Sequence, residues 1–239
     1  MKRALITGGS GDIGAAICLR LAASNHHVIV HANSNLARAE TLVQEIRSLG
    51  GSAEACSFDV RQTDTCLQAL EKLLADGPIQ ILIHNAGIHS DAPLAGMQPT
   101  QWKEVIDVSL NGFYNVTQSL LLPMMATRWG RIIAISSIAG IMGNRGQANY
   151  AAAKAGLHGA CKSLAIEIAS RGVTVNTIAP GIIAGRMTDQ VFDEKTIKQI
   201  VPMKRAGRPE EVASLINYLT SDEAAYISGQ ILSINGAMA

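Results

Sequence analysis

The sequence predicts a doubly wound α/β fold: one domain on a mostly parallel seven-stranded sheet with helices on both faces. Three observations carry this. Strand-length apolar runs alternate with longer helical patterns along the chain, several runs lack polar alternation, and a glycine-rich turn follows the first of them. Runs such as ILIHN and RIIAIS suit parallel strands covered by helices on both sides.

The strands fall at residues 3–7, 27–31, 53–58, 79–85, 130–136, 173–179 and 230–234, and the helical stretches at 36–49, 63–74, 101–126, 147–170 and 209–219. A further amphipathic helix, AAICLRLAA, follows the first turn. The helix at 209–219 opens with Pro209, Glu210 and Glu211, which suit the positive end of a helix. With 239 residues and 48% hydrophobic content, the chain suits a single domain over residues 1–239. Only residues 181–208 break the alternation; their glycines, proline and mixed charge predict a mobile lid over the site.

Lys plus Arg number 20 against 19 for Asp plus Glu, so overall charge gives no case for a nucleic-acid or acidic-membrane partner. The apolar stretch in MKRALITGGSG is too short for a signal segment or a membrane span, and a cytoplasmic protein is expected. Cys18, Cys56, Cys66 and Cys161 form no CxxC pair and the six histidines are scattered, so neither a disulfide framework nor a metal site is expected.

Chemistry gathers at two places. The first strand runs into TGGSGDIG, residues 7–14, and then into a helix, the context in which glycines at 9, 11 and 14 present backbone N–H groups to a dinucleotide pyrophosphate. Gly8, Gly9, Ser10, Gly11, Asp12, Ile13 and Gly14 are therefore candidate cofactor contacts. At the end of the second strand stand His31, Ala32, Asn33, Ser34 and Asn35, with Arg38 nearby. With no carboxylate there to pair a free ribose 2′-hydroxyl, Asn33 and Ser34 suit NADPH better than NADH, which stays open. Asp12 weighs the other way, unless it caps the helix.

The second place is NYAAAKAGLHGACKSLA, where Tyr150 and Lys154 lie four apart on one helix face. A nearby ammonium favours the phenolate and is expected to draw the tyrosine pKa toward working range, so that Tyr150 protonates a carbonyl oxygen as hydride arrives. Ser137, just after a strand, is placed to hydrogen-bond the same oxygen.

Through TGGSGDIG, the HNAG at 84–87, Ser137, the YxxxK of Tyr150 and Lys154, and the PG at 180–181, the chain resembles the short-chain dehydrogenase/reductase family along its length. The resemblance implies a Rossmann-type fold and an active site of Ser137, Tyr150 and Lys154, with Lys154 also on the nicotinamide ribose. It implies that Asn85, Ala86, Gly87, Pro180 and Gly181 line the cofactor, that Asp59 and Val60 meet adenine, and that Ile183 approaches the nicotinamide.

The chain departs from the family in three places. Gly11 and Asp12 stand where NADPH enzymes often carry arginine and then glycine, and Gly185 stands where a threonine is common. In VIDVSLNGFY, Ser109 occupies the position of the family's catalytic asparagine, which holds a relay water; Ser109 or a second water is expected to fill that role. Asn111, two residues on and roughly 200° around a helix, is not assigned it.

Within the family, LLPMMATRWGRII, SLAIEIASRGVTVNTIAPG, VPMKRAGRPEEVASLINYL and YISGQILSINGAM resemble the 3-oxoacyl-acyl-carrier-protein reductases. That implies reduction of a 3-oxoacyl thioester by NADPH, with Arg128 and Arg171 docking an acidic carrier protein, and a homotetramer. Coenzyme A thioesters, another alcohol such as a sugar or steroid, and a dinucleotide-binding module without turnover are the alternatives; the intact Ser137, Tyr150 and Lys154 count against the last.

Overall fold

A computed structural model describes residues 1–189 and 192–239. Seven strands form one sheet: β1 (Lys2–Thr7), β2 (His26–Ala32), β3 (Ser52–Ser57), β4 (Ile81–His84), β5 (Gly130–Ile135), β6 (Val173–Pro180) and β7 (Ile231–Ile234). Their order is β3-β2-β1-β4-β5-β6-β7 and every pairing is parallel, where the sequence predicts a mostly parallel sheet.

The long helices are α1 (Asp12–Ala23), α2 (Leu36–Ser48), α3 (Thr63–Ala75), α4 (Pro99–Ile106), α5 (Gly112–Ala126), α7 (Ala148–Ile168) and α10 (Pro209–Leu219), with short α6 (Ala139–Met142), α8 (Arg186–Asp189) and α9 (Glu194–Ile200). Alternate strand residues feed two cores, as the period of a strand requires. Ile6, Val30, Ile83 and Ile133 pack under α1, α2 and α10, while Leu5, Ile29, Leu82 and Ile132 pack under α3, α5 and α7.

The helix expected over 101–126 is broken: α4 ends at Ile106, Asp107–Asn111 form a π segment, and α5 begins at Gly112. Gly112 N–H reaches back five residues to the Asp107 carbonyl, and any Cβ at 112 would lie 3.0 Å from Val60 Cγ2. Close packing on Val60 thus coincides with the extra residue. The helix expected over 147–170 is α7, followed by one 3-10 turn at Ala169–Arg171.

The topology places the site. After β3 the chain crosses to the other side of β1, so β1 and β4 are neighbours and a crevice opens beyond their C-terminal ends, where ligands bind in this architecture. Thr7 pairs with His84, so the turn from Gly8 and the stretch from Asn85 leave the sheet side by side.

Part of the lid predicted at 181–208, residues 190–191, lies outside the described residues. The rest is anchored at both ends: Ala184 N–H donates to the Gly207 carbonyl at 2.8 Å and Gly207 N–H to that of Ile182 at 2.9 Å. Among the described residues, no helix is long and apolar enough to cross a membrane.

Candidate active site

A cleft of about 380 Å³ runs across the C-terminal ends of the strands, from Asn33 and Arg38 past the glycine turn to Ser137, Tyr150 and Lys154. Gly8, Ser10, Gly11, Asp12, Ile13, Gly14, Asn85, Ala86, Gly87, Pro180, Gly181 and Ile183 also line it, so the structure brings most of the sequence-predicted residues together.

At the dinucleotide end, Gly8 takes φ of +61°, and a Cβ on Gly14 would collide with the Gly8 carbonyl oxygen. Gly11 is the N-cap of α1, so the N–H groups of Asp12, Ile13 and Gly14 have no partner within the helix and open the positive end of its dipole to the cleft. The turn is braced by His31, whose Nδ1 accepts from Gly8 N–H at 3.1 Å while its Nε2 donates to the Phe58 carbonyl at 2.9 Å. Burial pushes this imidazole down to about 4, so it braces as a neutral ring. A turn that only glycine can make, with amides turned outward, fits a dinucleotide pyrophosphate.

Asp12 does not cap α1 with its side chain. Its carboxylate accepts from Arg186 N–H at 2.9 Å and Nε at 3.2 Å, and lies 3.5 Å from Arg38 Nη2. Partial burial pushes this carboxyl up, but the Arg186 bonds and the two guanidinium charges win and hold it below the usual range. Gly185, at φ +151°, approaches so closely that a Cβ there would stand 2.8 Å from Asp12 Oδ2. Two of the departures from the family pattern therefore fit each other: the missing side chain at 185 makes room for the carboxylate at 12.

Four predicted cofactor contacts are not among the residues that line this cleft. Asp59 turns both oxygens to Arg61, at 2.7 to 3.0 Å. Val60 is buried against Gly112, with its carbonyl taken by Asn115 Nδ2 at 2.8 Å, and Ser34 stands exposed beside Asn35, whose side chain caps α2. Gly9 sits beneath the turn against Ile6 and Val30.

At the catalytic end, Ser137 follows β5 and its hydroxyl accepts from Ala139 N–H at 3.1 Å. Burial pushes the Tyr150 phenol above its ordinary value, Ser137's hydrogen bond pulls it down, and Asp91 adds to the rise. The expected lowering by Lys154 is therefore not what dominates here: Lys154 Nζ stands 5.6 Å from the tyrosine ring centre and donates to the Ile135 carbonyl at 2.8 Å. Lys154 is 3% exposed, and burial pushes its ammonium down to about 8.

Small residues allow this placement. A Cβ on Gly140 would be 2.9 Å from the Lys154 carbonyl carbon, and one on Gly156 would be 2.8 Å from Leu110, so α7 nests against α6 and the π segment. Ser109 is fully buried in that segment and its hydroxyl has no hydrogen-bond partner among the described residues. A Cβ on Gly87 would meet Lys154 Nζ at 3.0 Å and Ser109 Oγ at 3.5 Å, so the two groups flank the same glycine. Asn111 is exposed and donates to Asp107 Oδ1 at 2.7 Å.

Sequence reasoning missed several supports. Asn149 accepts from Tyr150 N–H at 2.8 Å and donates to the carbonyls of Ser90 and Gln101, which fixes the start of α7. Ser136 donates to the Lys154 carbonyl at 3.1 Å and contacts His158 Nε2 at 2.6 Å. The asparagine beside the YxxxK motif was open to notice; the others are neighbours only through tertiary pairing.

Arg128 and Arg171 are exposed just before β5 and β6, at the N-terminal ends of those strands. The backbones touch, since a Cβ on Gly172 would collide with the Arg128 carbonyl. Tyr150 lies beyond the other end, and six residues of β5 span about 20 Å.

A doubly wound parallel sheet, a phosphate-binding turn at its switch point and a Tyr-Lys-Ser group across the same cleft define a nicotinamide-dinucleotide-dependent oxidoreductase. A family model described as short chain dehydrogenase matches residues 2–196. The chain is 41% identical over 239 residues to the 3-oxoacyl-[acyl-carrier-protein] reductase FabG of Aggregatibacter actinomycetemcomitans, covering 98% of each. It is 42% identical over 240 residues to Nodulation protein G of Azospirillum brasilense, and 39% identical over 240 to a FabG of Staphylococcus epidermidis, covering 99% of this chain and 98% of theirs in both cases. The chain belongs to the short-chain dehydrogenase family.

Proposed function

We propose that this protein reduces a 3-oxoacyl thioester to the 3-hydroxyacyl thioester with NADPH, on an acyl chain carried by acyl-carrier protein, in fatty-acid or related acyl synthesis in the cytoplasm. The observation that carries the chemistry is the meeting of Ser137, Tyr150 and Lys154 in the cleft that holds the glycine turn. The names of the reductase relatives support the substrate.

Asp12, Ile13 and Gly14 would hold the pyrophosphate with their N–H groups, Asn85 to Gly87 would line the middle of the cofactor, and Pro180, Gly181 and Ile183 the nicotinamide end. The bound nicotinamide supplies the hydride. Tyr150, held protonated by its burial, donates its phenolic proton to the carbonyl oxygen, and Ser137 donates a hydrogen bond to that oxygen as charge develops. Lys154 carries the positive charge beside them, and the proton that Tyr150 gives up is replaced from solvent, relayed through Lys154 by a water held with Ser109, the buried hydroxyl that borders the same face of Gly87, or by a second water. Hydride and proton together make the product hydroxyl.

NADPH is favoured because Arg38 and Arg186 outnumber the single Asp12 they share, which leaves net positive charge where the cleft reaches Asn33. Acidic carrier protein would dock on Arg128 and Arg171. Since these lie at the opposite end of the sheet from Tyr150 in the same chain, a carrier docked there serves the site of another copy, in keeping with a homotetramer.

The test is the loss of reduced-cofactor absorbance with acetoacetyl thioester on carrier protein and on coenzyme A, with NADPH and NADH compared. Faster turnover with NADPH and carrier-bound substrate is expected; preference for the coenzyme A thioester would move the reading to that substrate.

A further inference from the structure

We propose that His84 is a positioning residue for proton transfer: by holding the Ser109 carbonyl it fixes the π segment so that the Ser109 hydroxyl stays beside Gly87, where Lys154 Nζ also lies. This rests on the reading of Tyr150 and Lys154 as the proton path. His84 is fully buried at the end of β4, in register with Thr7 of β1.

The hydrogen bonds around it leave one arrangement. Thr7 Oγ1 accepts N–H bonds from both Asn85 and Ala86, each at 3.0 Å, which uses its two acceptor positions. Its own proton is then directed to His84 Nδ1, 3.3 Å away. Nδ1 is therefore the bare nitrogen and Nε2 carries the hydrogen, which it donates to the Ser109 carbonyl at 2.9 Å. Burial, and after it the charge of Lys154, push the ring down to about 3, so it stays neutral and keeps this tautomer at working pH. Phe113, from the first turn of α5, packs edge-on against the ring with centroids 5.5 Å apart.

One imidazole thus ties three segments: the strand that enters the phosphate turn, the Asn85–Ala86 stretch, and the π segment. The last link reaches the chemistry. Among the described residues Ser109 Oγ has no partner to hold it, so its direction depends on where the backbone of residue 109 is pinned. Lys154 Nζ borders the same face of Gly87, 3.0 Å from where a Cβ would stand, against 3.5 Å for Ser109 Oγ. Losing the His84 bond would leave a buried carbonyl short of a donor and release the segment that carries the hydroxyl.

Two substitutions separate the two ends of the ring. His84→Asn keeps an acceptor near Nδ1 for Thr7 but is too short to reach Ser109; His84→Gln reaches Ser109 with a donor but lacks the Nδ1 acceptor. For His84→Asn we expect kcat to fall about tenfold, the solvent isotope effect on kcat to rise, and NADPH affinity by fluorescence titration to hold within about threefold. His84→Gln should retain most of kcat. Equal kcat and isotope effect in His84→Asn and the wild type would overturn the proposal, as would equal losses in both variants that track weakened NADPH binding. Tyr150→Phe run alongside tells the two ideas apart: if it abolishes turnover while His84→Asn is silent, only the positioning role fails, and if it stays active both fail. Nitrogen NMR of the wild-type imidazoles needs no variant to fold. A neutral, Nε2-protonated His84 across neutral pH is expected, and an Nδ1-protonated or charged ring would contradict the assignment.

Discussion

Lys154 is buried with its Nζ on the Ile135 carbonyl, and its pKa of about 8 sets a limit on the working pH. Below about 8 the ammonium is charged; as pH rises through that value the charge is lost earlier than in an exposed lysine. For the free enzyme, kcat/KM for NADPH should therefore fall above about pH 8, and Lys154→Arg should move that limb upward. A limb unchanged by the substitution would assign it to another group. Between about 8 and the ordinary lysine value the folded state binds fewer protons than the unfolded, so raising pH through that window relieves the burial cost of this group and adds to stability. Ser109 gives a second test. Its hydroxyl has no partner among the described residues, so Ser109→Ala should leave the thermal midpoint unchanged or slightly raised, while lowering kcat and altering its solvent isotope effect. Unaltered turnover and isotope effect would remove Ser109 from the relay.

Elements divide between those legible in the sequence and those fixed by contacts from afar. The seven strands and the turn at 7–14 could be read because continuous apolar runs and glycine spacing are local signals. Tyr150 and Lys154 were legible for the same reason, being one turn apart on α7. The π segment was not, since the apolar spacing runs on through residues 101–126 and the carbonyl that matters there answers to a histidine 25 residues away. Asp12 was ambiguous because its partner Arg186 lies 174 residues along the chain. That pairing joins the phosphate turn to the segment after β6, and Gly185 is the residue that permits it. Gly185→Ala changes no charge yet crowds Asp12, so it should raise the NADPH Kd, and Arg186→Ala should raise it about threefold as an exposed pair allows. Fluorescence titration checks both; no change in either would leave the contact without a role in cofactor binding.

At the scale of the whole molecule, the outward faces matter most. Ile166 on α7 is 84% exposed, and Leu122 and Tyr114 on α5 are exposed as well, which is apolar area that a second copy would cover. For the proposed tetramer, Leu122→Asp with Ile166→Asp should shift sedimentation to smaller species, and an unchanged distribution would place the interface elsewhere. Charge reversal at Arg128 and Arg171 should lower kcat/KM about tenfold or more for carrier-bound substrate and leave the coenzyme A thioester unaffected. Reduction of a carrier-bound 3-oxoacyl group by proton donation from Tyr150 stands or falls on NADPH oxidation with acetoacetyl-carrier protein, wild type against Tyr150→Phe at matched cofactor occupancy. Rapid turnover that the substitution abolishes while NADPH still binds is expected; no turnover by the wild type, or full turnover by Tyr150→Phe, would overturn it.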